Sequence, residues 1–204
     1  TGVATLTLTG GGSQTEGYLN LRETIFGTGV GGEANVTVSD GFTISVADGG
    51  SAVVGDDGGK ATINITTGYF DINTSGTGPL AGASLVIGQA GGTGEVNLEN
   101  ESRINLQGGG DADIRIGDGT GSMGKVTVAD QSTVHSIRDI EIGTNGGTGE
   151  VSVSGTGGSI SAAQDIFIGT NGGTGEASLS DRGNISATRD VFVGIGAGSD
   201  GTID

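Results

Sequence analysis

Carboxylate and hydroxyl side chains recur along this sequence at a regular interval. They occupy Glu23, Ser51, Ser84, Asp113, Asp139, Asp165 and Asp190. If these residues stack in the folded chain, their carboxylates could bind Ca²⁺ or work together as general acid and base. Because Ser shares the column with Asp, we favour a corner whose short polar side chains hydrogen bond their own backbone N–H groups. A calcium role stays open, since four stacked carboxylates repel one another.

Other motifs that suggest catalysis or metal binding are weaker. The segment "GGTGEV" partly matches a calcium-binding nonapeptide repeat. We reject that site because Val96, Val151 or Ala177 stands where the motif needs aspartate. A retaining glycosidase needs two carboxylates about 5–5.5 Å apart, a distance that any stacked pair of acids would approach. The candidates for the basic residue of a polysaccharide lyase, by position alone, are Arg115, Arg138 and Arg189.

The sole histidine and two phenylalanines are predicted to face outward. His135 alternates with Val134 and Ser136, which indicates an ordinary surface position. Phe167 and Phe192 occupy equivalent outward positions in adjacent units. We favour simple stacking of these two rings, and the alternative is an exposed aromatic strip for contact with sugar or protein.

An internal repeat must position all of these side chains. The segment "IGTNGGTGE" occurs at 142–150 and again at 168–176. Apolar pairs, or near matches, precede glycine seven times, at Gly27, Gly55, Gly88, Gly117, Gly143, Gly169 and Gly194, and the last four are spaced by 26, 26 and 25 residues. Each unit contains three short segments in which apolar residues alternate, as in Val151/Val153, Ile160/Ala162 and Ile166/Ile168.

Alternation with a period of two predicts β-strands, and stacked units can bury a shared apolar column with Gly-rich turns at the corners. We therefore predict an all-β fold: a right-handed parallel β-helix with three short strands per coil and about seven coils. The chain, 1–204, is expected to form a single β-helical segment. Its predicted coils span 1–31, 32–58, 59–93, 94–123, 124–148, 149–174 and 175–200, with 201–204 starting another coil.

Charged residues near the start of each unit support this stacking. They are Glu33, Lys60, Glu95, Lys125, Glu150 and Glu176, and their signs alternate through the first five. We expect these residues to lie opposite one another on adjacent strands, where each pair of opposite charges contributes about 0.2–1 kcal/mol.

Units such as "GEVSVSGTGGSISAAQDIFIGTNGGT" resemble the autotransporter-associated repeat, also called PEP-CTERM-associated, of passenger regions of type V secreted proteins in Gram-negative bacteria. The resemblance covers 94–200 well and 1–93 more loosely, and the "IGxxGGTGE" junction is its most specific part. It implies a β-helical passenger displayed on the cell surface, commonly an adhesin or a self-associating protein. It carries over no catalytic or binding residue, because the repeat motif is structural.

The composition restricts the partners of the chain. Its formal net charge is −16, which disfavours nucleic acid and anionic membranes. Cysteine is absent, which excludes disulfides and thiolate metal sites. No run of about 18 apolar residues is present that would insert into a membrane. The sequence starts inside a strand-like segment and stops at what reads as a new repeat, so we expect a piece of a longer protein.

One corner of the repeat carries extra residues in three consecutive units. The step from the second to the third apolar segment is six residues at 160–166, but eight at 44–52, fifteen at 70–85 and ten at 104–114. We predict that the extra residues project, with 73–83 bulging over 107–111 beside 48–51, although a functionless insertion is the alternative. The candidate ligand-binding residues are Asn73, Thr74, Ser75, Thr77, Pro79, Leu80, Gln107, Asp111, Phe167 and Phe192.

The sequence favours display over catalysis, because its polar residues repeat in every unit instead of gathering around one groove. We expect a non-enzymatic adhesin segment without a cofactor, secreted and anchored to the outer membrane by a barrel outside this chain. Its expected partners are a host extracellular-matrix or cell-surface protein or glycan, or another copy of itself. The alternatives are a β-helical carbohydrate-active enzyme, either a polysaccharide lyase or a glycosidase, and a ligand-free stalk.

Overall fold

A computed structural model describes residues 2–10, 17–21, 23–46, 50–74, 84–108 and 112–204. These residues form parallel strands joined by turns, and they contain no helix. None of the described residues therefore belongs to a helix long and apolar enough to cross a membrane.

The strands of the described residues form three sheets, which we call the first, second and third sheets. The first sheet contains β1 (Gly2–Thr9), β4 (Gly32–Ser39), β7 (Lys60–Thr66), β10 (Thr93–Glu99), β13 (Met123–Val128), β16 (Thr148–Val153), β19 (Thr174–Leu179) and β22 (Asp200–Ile203). The second sheet contains β2 (Tyr18–Leu21), β5 (Thr43–Val46), β8 (Tyr69–Thr74), β11 (Arg103–Gly108), β14 (Thr133–Ser136), β17 (Ser159–Ala162) and β20 (Asn184–Ala187). The third sheet contains β3 (Thr24–Thr28), β6 (Ala52–Asp56), β9 (Leu85–Gln89), β12 (Ile114–Asp118), β15 (Ile140–Thr144), β18 (Ile166–Thr170) and β21 (Val191–Ile195).

Each coil contributes one strand to each sheet before the chain returns to the first sheet, one level along the rod. Sequence-consecutive strands therefore lie in different sheets, and strands three apart in the order are hydrogen-bonded neighbours. The predicted parallel β-helix, with three strands per coil and about seven coils, is confirmed. With adjacent strands about 4.8 Å apart, seven coils make a rod of roughly 34 Å.

The core consists of apolar ladders that run along the rod. One ladder of the first sheet contains Val36, Ile63, Val96, Val126, Val151 and Ala177, each no more than 2% exposed. A ladder of the second sheet contains Ile44, Phe70, Ile104, Val134 and Ile160, which are equally buried. Burial of a Val or Ile side chain contributes about 1.5–3 kcal/mol, so these ladders hold successive coils in register.

The corner between the third and first sheets explains the repeated "IGTNGGTGE" segment. Gly143 has a φ of +67°, and a Cβ added to it would lie 1.8 Å from the carbonyl oxygen of Thr174 on the next coil. Gly169 has a φ of +69°, and its added Cβ would lie 1.8 Å from the carbonyl oxygen of Asp200. Because the backbone conformation and the lack of space both exclude a side chain, only glycine fits this position in each coil.

The same corner turns the chain through an Asn–Gly pair. The N–H of Gly147 donates to the carbonyl of Thr144 at 2.9 Å, and the central residues Asn145 and Gly146 have φ values of 53° and 82°. Positive φ at both central positions is the signature of a type I′ turn. Nδ2 of Asn171 donates to Oδ1 of Asn145 at 3.3 Å, so the turns of adjacent coils are linked by their side chains.

The predicted ladder of charges is wrong at one step. Glu33 lies opposite Lys60, as expected. The next residue of that column is Thr93, whereas Glu95 lies two positions further along its strand, opposite Thr62. A shift of two residues leaves the inward and outward faces unchanged, so hydrophobic alternation could not detect it. Beyond this step the column continues as predicted, through Glu95, Lys125, Glu150 and Glu176.

Candidate functional site

The predicted column of aspartates lies at the corner between the second and third sheets. The backbone N–H of Asp165 donates to Oδ1 of Asp139 at 2.9 Å. The N–H of Asp190 donates to Oδ1 of Asp165 at 3.1 Å in the same way. The expectation that these side chains bond their own backbone is therefore wrong. Backbone N–H groups at this corner point along the rod, so each carboxylate accepts from the next coil.

Arginines lie between the carboxylates of this corner. Nη2 of Arg115 is 3.4 Å from Oδ2 of Asp113, and its Nε is 3.8 Å from Oε2 of Glu141. Nε of Arg138 is 3.9 Å from Oδ1 of Asp113, and its Nη2 is 3.8 Å from Oδ2 of Asp139. We call these five residues the corner cluster. The arginines offset the mutual repulsion that a bare stack of carboxylates would have.

Two carboxyls of the corner cluster have perturbed acidity. Burial raises the pKa of Asp113 and of Glu141 above the ordinary values, although the Arg115 guanidinium near both carboxyls lowers them in part. Hydrogen bonding to Asp165, the next aspartate of the column, raises the pKa of Arg189. A carboxyl with a raised pKa holds its proton more readily, which is a property of general acids and also of buried structural groups.

The described part of the chain contains no group of three or more His, Cys, Asp or Glu side chains that could hold a metal ion. The carboxylates of the aspartate column instead accept hydrogen bonds from backbone N–H groups and contact arginine side chains. Its serine members continue the same ladder, since Oγ of Ser84 donates to Oγ of Ser51 at 3.4 Å. The column therefore forms a row of polar contacts that holds the corners of successive coils in register.

His135 faces outward on the second sheet, as predicted. Its neighbours Val134 and Ser136 are buried, while His135 is half-buried. Nδ1 of His135 is 3.0 Å from Oγ of Ser161, its register partner on the next coil. The histidine thus links two coils through a hydroxyl and is not joined to a carboxylate among the described residues.

Phe167 and Phe192 are register partners on β18 and β21. Their ring centroids are 5.1 Å apart with an interplanar angle of 13°, so the predicted stacking is confirmed. Both rings are half-buried and lie on the outer face of the third sheet. Such a pair contributes about 0.5–1.5 kcal/mol beyond the burial of its area.

The first residues of the predicted bulge lie within strands. Asn73 pairs with Gln107 and Thr74 pairs with Gly108, so the first residues of each insertion lengthen β8 and β11. The prediction that these residues project is wrong, because each finds a hydrogen-bonding partner on the neighbouring coil. Gln107 is nevertheless exposed. The other candidates from this corner, Ser75, Thr77, Pro79, Leu80 and Asp111, lie outside the described residues.

The second sheet also carries a groove that the sequence did not single out. Tyr18, Thr43, Tyr69, Asp71 and Arg103 line a space of about 270 Å³ on its outer face. Cζ of Arg103 lies 5.0 Å from the centroid of the Tyr69 ring. Nη2 of Arg103 is 3.4 Å from both carboxylate oxygens of Asp71. The signal was available in the sequence, since each tyrosine immediately precedes an inward apolar residue of its strand and therefore faces outward.

The fold defines the class of this protein as a β-solenoid, in which each coil contacts mainly its neighbours. Comparisons of the chain with protein-family models, with curated proteins and with solved structures find no match. The features that bear on function are therefore the surfaces of the rod itself.

Proposed function

We propose that this chain is an adhesin segment of a secreted autotransporter passenger, displayed on the bacterial surface. Its coils would attach the cell to host matrix or cell-surface proteins or glycans, or to a second copy of the chain. The resemblance of the junction segments at 142–150 and 168–176 to the autotransporter-associated repeat supports a secreted passenger. A rod of stacked coils supports display, because its length places surfaces away from the point of attachment.

The observation that carries this proposal is the repetition of the same polar contacts in successive coils. Asn145 and Asn171 repeat one turn, and Asp139 and Asp165 repeat one bridge to the next coil. An enzyme brings different reactive groups together at one place, whereas a repeated surface suits extended contact with a large partner. We therefore expect function to reside on the outer faces and at the insertion corner, without catalysis and without a cofactor.

Attachment of the purified polypeptide to immobilised matrix proteins and to host cells tests this proposal. One variant replaces residues 75–82 with a two-residue turn, and a second carries Phe167→Ala and Phe192→Ala. We expect both variants to keep the β-rich circular dichroism spectrum and at least one to lose attachment. If the unaltered polypeptide attaches to nothing and does not associate with itself, the proposal fails and a ligand-free stalk replaces it.

A carbohydrate-active enzyme is the second candidate, and the raised pKa values of Asp113 and Glu141 are the observation that favours it. A protonated carboxyl close to a second acid is the arrangement that glycoside hydrolysis needs. Incubation with a panel of polysaccharides, followed by measurement of reducing ends and unsaturated products, tests this alternative. Product formation that Asp113→Asn abolishes would replace display with catalysis.

A further inference from the structure

The groove on the outer face of the second sheet has the form of a slot with aromatic walls. Tyr18 lies opposite Thr43, and Thr43 lies opposite Tyr69. The two tyrosines are therefore two strands apart, about 9.6 Å along the rod. Thr43 between them is only 4% exposed and forms the floor, while Tyr18 is 58% exposed. The exposed Tyr18 and the half-buried Tyr69 both line the groove, so a bound ring would contact aromatic surface.

The ring of Tyr69 is in contact with an arginine. Arg103 lies on the following coil, and its guanidinium stacks over Tyr69 while pairing with Asp71. Thr43 lies on the preceding coil, and Tyr69 is half-buried between these two neighbours. The arginine therefore helps to orient the Tyr69 ring that lines the groove.

The amide of Asn105 lies beside the slot on a neighbouring strand. Asn105 is on β11, where it lies opposite Asp71 of β8 on one side and His135 of β14 on the other. Its side chain alternates with the inward residues Ile104 and Leu106, and Asn105 is only 6% exposed. Its amide is not among the fully buried side-chain atoms that lack a hydrogen-bond partner, so it remains accessible to a ligand beside the slot.

We propose that this slot binds a pyranose ring of a neutral oligosaccharide. The C–H face of a sugar packs against an aromatic ring, and the rim of hydroxyls requires planar donors and acceptors. Arg103 supplies donors, Asp71 supplies acceptors, and the amide of Asn105 supplies both. A pocket of aromatic walls with a few convergent polar groups is the usual form of a small-molecule site.

Charge selects a neutral sugar over the alternatives. Arg103 and Asp71 neutralise each other locally, and the chain as a whole carries a net charge of −16. Uronates, sialylated glycans and nucleotides are anionic and would meet a repulsive field. The slot is a surface separate from the insertion corner and the phenylalanine pair, and sugar binding there does not require that the protein be an adhesin.

The composition of the chain provides a direct optical measurement of the slot. The protein contains two tyrosines and no tryptophan, so its tyrosine fluorescence comes from Tyr18 and Tyr69 alone. The experiment titrates the purified protein with neutral gluco-, manno-, galacto- and N-acetylglucosamine oligosaccharides, and with an oligouronate for comparison. We expect a saturable change in fluorescence with at least one neutral oligosaccharide and none with the oligouronate.

Variants assign the change to the slot, with affinity measured by calorimetry. Tyr69→Ala is expected to weaken binding about tenfold or more, whereas Tyr69→Phe should keep most of the affinity. Asn105→Ala should weaken binding, and Asn184→Ala is the matched control, because Asn184 is an exposed asparagine three coils beyond Arg103 in the same column. Circular dichroism confirms that each variant is folded.

Three results would overturn the inference. They are the absence of saturable binding by every neutral oligosaccharide, unchanged affinity in a folded Tyr69→Ala variant, and preferential binding of an aromatic peptide. Binding of sugar in solution without attachment to any cell or matrix would instead leave the slot intact and refute only the adhesin proposal.

Discussion

The backbone N–H of Asp165 donates a hydrogen bond to Oδ1 of Asp139 at 2.9 Å, although the two residues are 26 positions apart in the sequence. Asp190 is bound to Asp165 in the same manner. A carboxylate accepts such a bond more strongly than a neutral acceptor does. This relationship shows why aspartate recurs at the corner between the second and third sheets, where it bridges one coil to the next.

Substitution of Asp139 with alanine should destabilise the fold. The change leaves the N–H of Asp165 without its acceptor and Arg138 without one of its acidic neighbours. We expect the free energy of unfolding to fall by about 1–3 kcal/mol, measured by urea denaturation. Asp139→Asn keeps an oxygen in place and should cost less. Glu176→Ala, at an exposed position of the first sheet, should change stability by no more than about 0.5 kcal/mol. Equal effects of all three substitutions would contradict the bridging role.

Gly143→Ala should be among the most damaging single changes. The alanine would need a positive φ, and its Cβ would lie 1.8 Å from the carbonyl oxygen of Thr174. We expect a loss of about 3 kcal/mol or more in the free energy of unfolding. Gly91→Ala is the matched control, because Gly91 has a φ of +79° and an added Cβ would meet no atom within 4 Å. That variant should lose only about 1–2 kcal/mol, so similar losses for both would refute the steric argument.

Gln131→Gly should stabilise the protein. Gln131 is exposed and has a φ of 65°, a conformation that costs a side-chain-bearing residue about 1–2 kcal/mol. Relief of this strain exceeds the added chain entropy of glycine, so we expect the melting temperature to rise. Thr133→Gly, two residues further and within β14, should lower it, since glycine weakens a strand by about 0.5–1 kcal/mol. A fall of the melting temperature in both variants would show that the turn is not strained.

The stability of the protein should depend on the protonation of Asp113 and Glu141. Burial raises the native pKa of these carboxyls above their ordinary values of 3.8 and 4.5. The native state therefore binds more protons than the unfolded chain just above those values, and their contribution to stability is complete below about pH 4. It is lost as the pH rises through the raised native pKa values.

The double variant D113N/E141Q tests this dependence. Its urea midpoint should decline less than that of the unaltered protein between about pH 4 and about pH 7. Glu176→Gln, which removes an exposed acid, is the control for the general effect of net charge. Identical pH profiles for the unaltered protein and the double variant would exclude a contribution from the two buried carboxyls.

The outermost coils should promote self-association of this polypeptide. Val191 and Val193 are each 43% exposed, whereas their register partners on the inner coil, Ile166 and Ile168, are fully buried. At the other end Leu6 is 39% exposed, whereas its register partner Val36 is buried. Exposed apolar strands with free edges favour weak end-to-end pairing. Sedimentation should reveal oligomers that increase with concentration and diminish in Val193→Lys, and a strict monomer at high concentration would contradict this expectation.

The architecture could be predicted from the sequence because glycine and apolar residues recur under strict steric constraints. Few residue types fit the positive φ of Gly143 or the buried position of Val151. Glycine and an apolar residue therefore recur at these two positions in every compact coil. The charge ladder is wrong at the step from Lys60 to Glu95, because these residues follow Gly59 and Gly94, which are not equivalent positions. In the structure Gly59 corresponds to Gly92, since an added Cβ on each would lie 2.5 Å from the carbonyl oxygen of a glycine on an earlier coil.

The surface was harder to predict than the core. Stacking of Phe167 on Phe192 followed from their equal positions in adjacent units. The slot between Tyr18 and Tyr69 did not, because its walls are two coils apart and Thr43 between them has no aromatic character. Repetition in a sequence reveals what every coil needs, whereas a binding surface depends on what differs between coils.

The glycine corner has a consequence for how a rod of this kind changes length over generations. Residues 148–150 and 174–176 occupy equivalent positions on neighbouring strands of the first sheet, where identical residues lie opposite one another. Removal of 149–174 would join Thr148 directly to Gly175, and duplication of the same stretch would add one coil, with each glycine corner re-formed. Near-identical coding segments recombine readily. Selection can therefore adjust the length of such a rod one coil at a time, while the outer faces of the remaining coils are inherited unchanged.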